Sequence, residues 1–125
     1  MMKHSVVLIA CFLIVAVTAF GQTTKKESTI IGDVIDVKSF VAYGMKADNP
    51  DRKAAAQASV QAGNPLGVLE KGTGKIYLVV GASQSENANL KLMDYLGLRV
   101  YVKGVVHRKN AIQLIVMSDV GKSIK

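Results

Sequence analysis

The 125-residue chain carries 16 Lys and Arg against 9 Asp and Glu, a formal charge of +7, with half of its residues hydrophobic and a single cysteine. One cysteine excludes an intramolecular disulfide framework and a thiolate metal cluster, and the length suits one modest core rather than two domains. The positive charges are scattered rather than run together, a pattern of solubility rather than of a dedicated basic arm.

Met1, Met2, Lys3 and His4 form a short positive start, and residues 5–20 are almost unbroken hydrocarbon. This is the pattern of a secretory signal peptide. Ala19-Phe20-Gly21 offers a small-residue cleavage site that makes Gln22 the new N-terminus, and Val17-Thr18-Ala19 offers a second. As an uncleaved anchor the run falls short of the ~18 residues or more of a spanning helix. Leu8-Ile9-Ala10-Cys11 resembles a lipobox, but Cys11 sits inside the apolar run, so a cut there would leave an apolar mature end. The expectation is a signal peptide over residues 1–21, a flexible leader over 22–29, a folded domain over 30–120 and a tail over 121–125. The mature product would be periplasmic or extracellular and free of cysteine.

In chain order, residues 30–41 read as a first strand, with Ile35, Val37 and Val41 on one face, Asp36 and Lys38 on the other, and Gly32 suited to a bulge or strong coiling. Asp48-Asn49-Pro50-Asp51 is a helix start, with Asn49 as cap and Pro50 at the first helical position. That helix runs to Ala62 and stops at Gly63 and Pro65. Residues 66–70 and 75–81 are short strands joined by the glycine-containing turn Lys71-Gly72-Thr73-Gly74, the second strand being apolar on both faces and central. Residues 87–96 read as a helix offering Leu92, Tyr95 and Leu96 to the core. Residues 99–106 and 111–116 form a closing hairpin around His107-Arg108-Lys109-Asn110. The order is strand, helical insertion, strand, strand, helix, strand, strand. It predicts a mainly β domain with two short helices, a five-stranded OB-fold-like barrel; an open α+β sheet is the competing topology.

Motifs of chemistry are few. Gly72-Thr73-Gly74-Lys75 is not a phosphate loop, because Leu69 stands where the first glycine belongs and Ile76 where Ser or Thr belongs. His107 is the single histidine after processing, and one histidine at a turn builds neither a metal site nor a catalytic triad. Met45 offers one soft thioether, while Met93 and Met117 read as core filler. Asp33, Asp36, Asp48 and Asp51 show no acid–base pairing that spacing can establish. The aromatics Phe40, Tyr43, Tyr77, Tyr95 and Tyr101 are not interleaved with basic clusters, which weighs against nucleic acid.

Gly32-Asp33-Val34-Ile35-Asp36-Val37, Tyr43-Gly44-Met45-Lys46, Gly63-Asn64-Pro65-Leu66-Gly67-Val68-Leu69, Lys75-Ile76-Tyr77-Leu78 and Val100-Tyr101-Val102-Lys103-Gly104-Val105-Val106 recur in one order. From Gly32 to Val120 the chain thereby resembles a family of small exported bacterial OB-fold proteins without an established activity. The resemblance implies a cysteine after the first strand and a histidine and two cysteines on the inserted helix, suited to a metal or redox group. Ser39, Arg52, Ala55 and Ser59 stand at the matching positions, so the implied site is degenerate here. The resulting expectation is a non-enzymatic binding domain, monomeric or weakly associating and without cofactor, for a small anion or a protein partner. Its contact surface would comprise Tyr43, Met45, Lys46, Arg52, Lys53 and Ser59. A metal-centred activity through Met45, His107 and carboxylates is one alternative, and polyanion or nucleic-acid binding on the barrel face is another.

Overall fold

The computed structural model describes residues 25–124. The expected signal peptide, its two candidate cleavage sites and Cys11 lie outside the described residues. The elements are β1 (Ser28–Asp36), α1 (Val37–Tyr43), α2 (Pro50–Gln61), β2 (Leu66–Glu70), β3 (Ile76–Val80), α3 (Ala88–Leu92), a 3-10 turn (Met93–Tyr95), β4 (Arg99–Lys109) and β5 (Ile112–Lys122).

The strands close into a barrel in the order β1-β2-β3-β5-β4, antiparallel throughout except for the parallel β3–β5 seam. The result is a mainly β, OB-fold-like barrel. Alternation places Val34, Val68, Tyr77, Val102 and Ile115 inside, all nearly or fully buried. Leu92 and Leu96, fully buried, plug one end from α3 and the turn that follows it. α1 and α2 lean on β1.

The first strand ends at Asp36, not at Val41, and the insertion holds two helices where one was expected. The cause lies in the partner strand. β2 begins only at Leu66, because Pro65 has no amide to donate, so beyond the Asp36↔Leu66 pair β1 has no neighbour on that side. The backbone satisfies itself as α1 instead. Val37 N–H donates to the Pro65 carbonyl at 3.2 Å, and Gly44, at φ 66°, ends the helix. Val37, Phe40, Val41 and Tyr43 have strand propensity, which is why this stretch reads as extended. The α2 start is as expected: the Asn49 side chain accepts from Arg52 N at 2.9 Å, with Pro50 at the first position.

Gly32 carries no bulge. It pairs in register with both Glu70 and Val100 where β1 passes from one partner to the other, and a Cβ there would lie 2.1 Å from the Leu69 carbonyl oxygen. The register shift falls between Lys103 and Gly104. The β4–β5 hairpin is also tighter and longer than expected. Its turn is Asn110-Ala111 alone, with φ 53° and 65°, the type I′ geometry. His107, Arg108 and Lys109 belong to β4, paired with Leu114, Gln113 and Ile112, and β5 continues to Lys122.

Gly32→Ala is expected to cost about 2 kcal/mol by overpacking against backbone, measured by chemical denaturation. Leu92→Ala should cost about 2–5 kcal/mol by opening a cavity under the plug. Unchanged midpoints for both would contradict this packing.

Candidate functional site

The insertion contains a buried polar centre. Asp36 shares the inward face of its partner Leu66 and is only 2% exposed. Ser39 Oγ donates to Asp36 Oδ2 at 2.6 Å, while Oδ1 is buried without a hydrogen-bond partner among the described residues. Ser59 Oγ is likewise buried and unpartnered, although the Ser59 carbonyl accepts from Asn64 N and Nδ2, each at 3.1 Å. The four positions implied by the resemblance therefore separate. Ser39 and Ser59 turn hydroxyls into the protein, whereas Arg52 and Ala55 lie exposed on α2, with Arg52 Nη1 on Asp48 Oδ1 at 3.0 Å.

The outside of β1 carries a second cluster around Asp33. Its carboxylate receives both Nε and Nη2 of Arg99, at 3.0 and 3.2 Å, and Lys46 Nζ stands 3.9 Å away. These three side chains edge a cleft of about 470 Å³ that extends to Lys71 and the β2–β3 turn. Lys53 lines a different hollow, with Asn49, Leu96 and Leu98. Tyr43 is 69% exposed at the end of α1, and Met45 is half-buried behind it. The six expected contact residues thus do not converge. His107 stands beside Lys25, ahead of β1, while Met45 precedes the lysine that reaches Asp33, so the structure does not bring the thioether and imidazole together. Among the described residues no three His, Cys, Asp or Glu side chains converge to hold a metal ion.

A third region follows from strand direction. Because β3 and β5 run parallel, the turn that precedes each lies at the same end of the barrel. Lys75, from the first turn, and Arg108 and Lys109, beside the second, line one open recess of about 340 Å³ with Asn110, Ile112 and Gln113. No carboxylate lines it. Arg108 is held in place: its guanidinium donates to Tyr77 Oη at 3.0 Å and to Gln113 Oε1 at 3.2 Å, and lies 5.8 Å from the Tyr77 ring centroid. Lys71, Lys75 and Lys109 form no ion pair with any described residue. Running from the recess along the outside of the barrel are cross-strand aliphatic pairs, Leu69↔Ile76, Leu78↔Leu114 and Val116↔Val105, all half-buried.

Two ionisable groups are displaced from their ordinary ranges. Glu86, in the segment between β3 and α3, is held below the usual carboxylate range chiefly by its hydrogen bond from Lys91, and further by the Ala82 amide. Tyr101 is raised by the negative charge of Asp119, to which its hydroxyl donates at 3.3 Å.

No protein-family model, curated protein or solved structure matches the chain. The sequence places His107, Arg108 and Lys109 at the closing hairpin but does not join them to Lys75. The signal available was topological: in a barrel with a parallel β3–β5 seam, the two turns must meet.

Ser39→Ala is expected to destabilise by about 1–3 kcal/mol, because it strips the hydrogen bond from a buried carboxylate. Ser59→Ala should be neutral or stabilising, since it removes a buried hydroxyl that bonds nothing. Equal costs in urea unfolding would refute this contrast. For Glu86, a lowered value means stability that is present above the unfolded-state value and lost as pH falls through the folded-state value. Lys91→Ala should return Glu86 toward its ordinary range, followed by carboxyl-carbon NMR; an unmoved titration would exclude Lys91 as the cause.

Proposed function

We propose that this chain is an exported, non-enzymatic OB-fold binding protein that takes an anionic ligand in the recess between its two turns. The observation that carries the reading is the convergence of Lys75, Arg108 and Lys109 on one open concavity without a carboxylate, backed by an aliphatic outer face. A cationic group with no internal partner keeps its full interaction for a ligand, and Arg108, braced by Tyr77 and Gln113, is already oriented. The insertion, with Tyr43 and Lys46, forms a separate rim of the molecule and is the natural place for a protein contact.

Inorganic phosphate titrated into isotope-labelled protein starting at Gln22 should shift the amides of Lys75, Arg108, Lys109 and Gln113. Lys75→Gln combined with Lys109→Gln should weaken the effect about tenfold. Shifts of equal size over every lysine-bearing surface would sink the reading.

A second reading, a degenerate metal or redox site in the insertion, is favoured by the orphaned Asp36 Oδ1 beside the serine that stands at a family ligand position. A stoichiometric metal in the purified protein, lost on Asp36→Asn, would replace the first reading by the second.

A further inference from the structure

Resting on the anionic-ligand reading, we propose that the turn end of the barrel is a docking face for an anionic lipid bilayer, with Ile112 entering the interface and the surrounding lysines meeting headgroup phosphates.

Charge is sorted along the molecule. The turn end carries Lys71, Lys75, Arg108 and Lys109, and the chain enters there with Lys25 and Lys26, Lys25 Nζ lying 3.0 Å from His107 Nδ1. Three carboxylates are nearby and all are engaged: Asp33, which lines the same cleft as Lys71, is held by Arg99 at 3.0 Å, Glu70 accepts from Thr73 Oγ1 at 2.5 Å and Glu27 pairs with Lys103 at 3.6 Å. The remaining acids among the described residues are in the insertion, around α3, or far along β5. A surface of this kind is attracted to anionic headgroups at close range.

Apolar area is placed where that attraction would deliver it. Ile112, the first residue after the Asn110-Ala111 turn, is 59% exposed at the lip of the cationic recess. A β-branched hydrocarbon at a turn tip serves no core, but among lysines it supplies the insertion that electrostatics alone lacks. Lys side chains of the rim can bury their stems while their ammonium groups stay at the headgroups.

Lys25, the first described residue, sits beside His107 at this end, and the apolar residues 5–20 precede it in sequence. Single-stranded nucleic acid fits less well, because the recess is lined by no aromatic side chain for base stacking.

The test uses the chain from Gln22, which contains the whole closed barrel, and vesicles of phosphatidylcholine with or without roughly 30% phosphatidylglycerol. Co-sedimentation is expected with the anionic vesicles and not with the zwitterionic ones. Each of Lys71→Gln, Lys75→Gln and Lys109→Gln should lower the partition coefficient about fivefold. Ile112→Gln should lower it about tenfold; thermal melts check that each variant is folded. Phosphate binding in the recess without vesicle binding would overturn the bilayer proposal and leave the anion reading standing. Vesicle binding, or equal retention on heparin or single-stranded DNA, that ignores Ile112→Gln would also overturn it, as would vesicle binding indifferent to the three lysines. Absence of both phosphate and vesicle binding would remove both readings.

Discussion

The barrel is closed where β3 and β5, running in the same direction, meet over three residue pairs, Leu78↔Leu114, Val79↔Ile115 and Val80↔Val116. Without that seam β1, β2 and β3 would be a meander and β4–β5 a hairpin, joined only through β1. Parallel pairing is slightly weaker per residue than antiparallel pairing, so side chains must supplement it. Val79 and Ile115 do so from inside, and the half-buried rows Leu78–Leu114 and Val80–Val116 do so from outside. The same parallel sense gathers the two turns at one end. A single short ladder thus closes the core, explains the aliphatic outer face and assembles the cationic recess.

Element type was legible wherever local chemistry and tertiary demand agreed. The Asn49-Pro50 helix start, the glycine turn before β3 and the order of strands all follow from residues that have few alternatives at those positions. The reading failed at residues 37–43, where β-branched and aromatic side chains favour a strand but Pro65, distant in sequence, denies the strand a partner. It also misjudged the β4–β5 turn, because Asn110-Ala111 replaces the usual glycine at the second position, with Ala111 itself at φ 65°. For the site, individual cations were visible and their convergence was not. Lys75 and Lys109 are brought together by strand direction, which spacing along the chain does not encode.

The two polar regions around β1 differ in what they can do. Asp33, on the outer face, is saturated by Arg99 and approached by Lys46, an arrangement that pins the insertion and the start of β4 to the same point of the strand. Asp36, three residues later and on the inner face, has one oxygen bonded and one not. A strand that alternates faces thus holds a structural ion pair outside and an incompletely satisfied carboxylate inside. The lysines at the turn end have neither kind of partner, which is why the binding reading rests there.

The double pairing of β1 also sets an order of events during synthesis. Its outer half pairs Ser28 with Gly104 and Thr29 with Lys103, contacts that span most of the domain. Until β4 has emerged, that half of β1 has no partner on that side, and at usual elongation rates the wait is about 4–15 seconds. Pairing of this range also slows closure itself. The first residues of β1 are therefore among the last parts of the barrel to be fixed as the chain emerges.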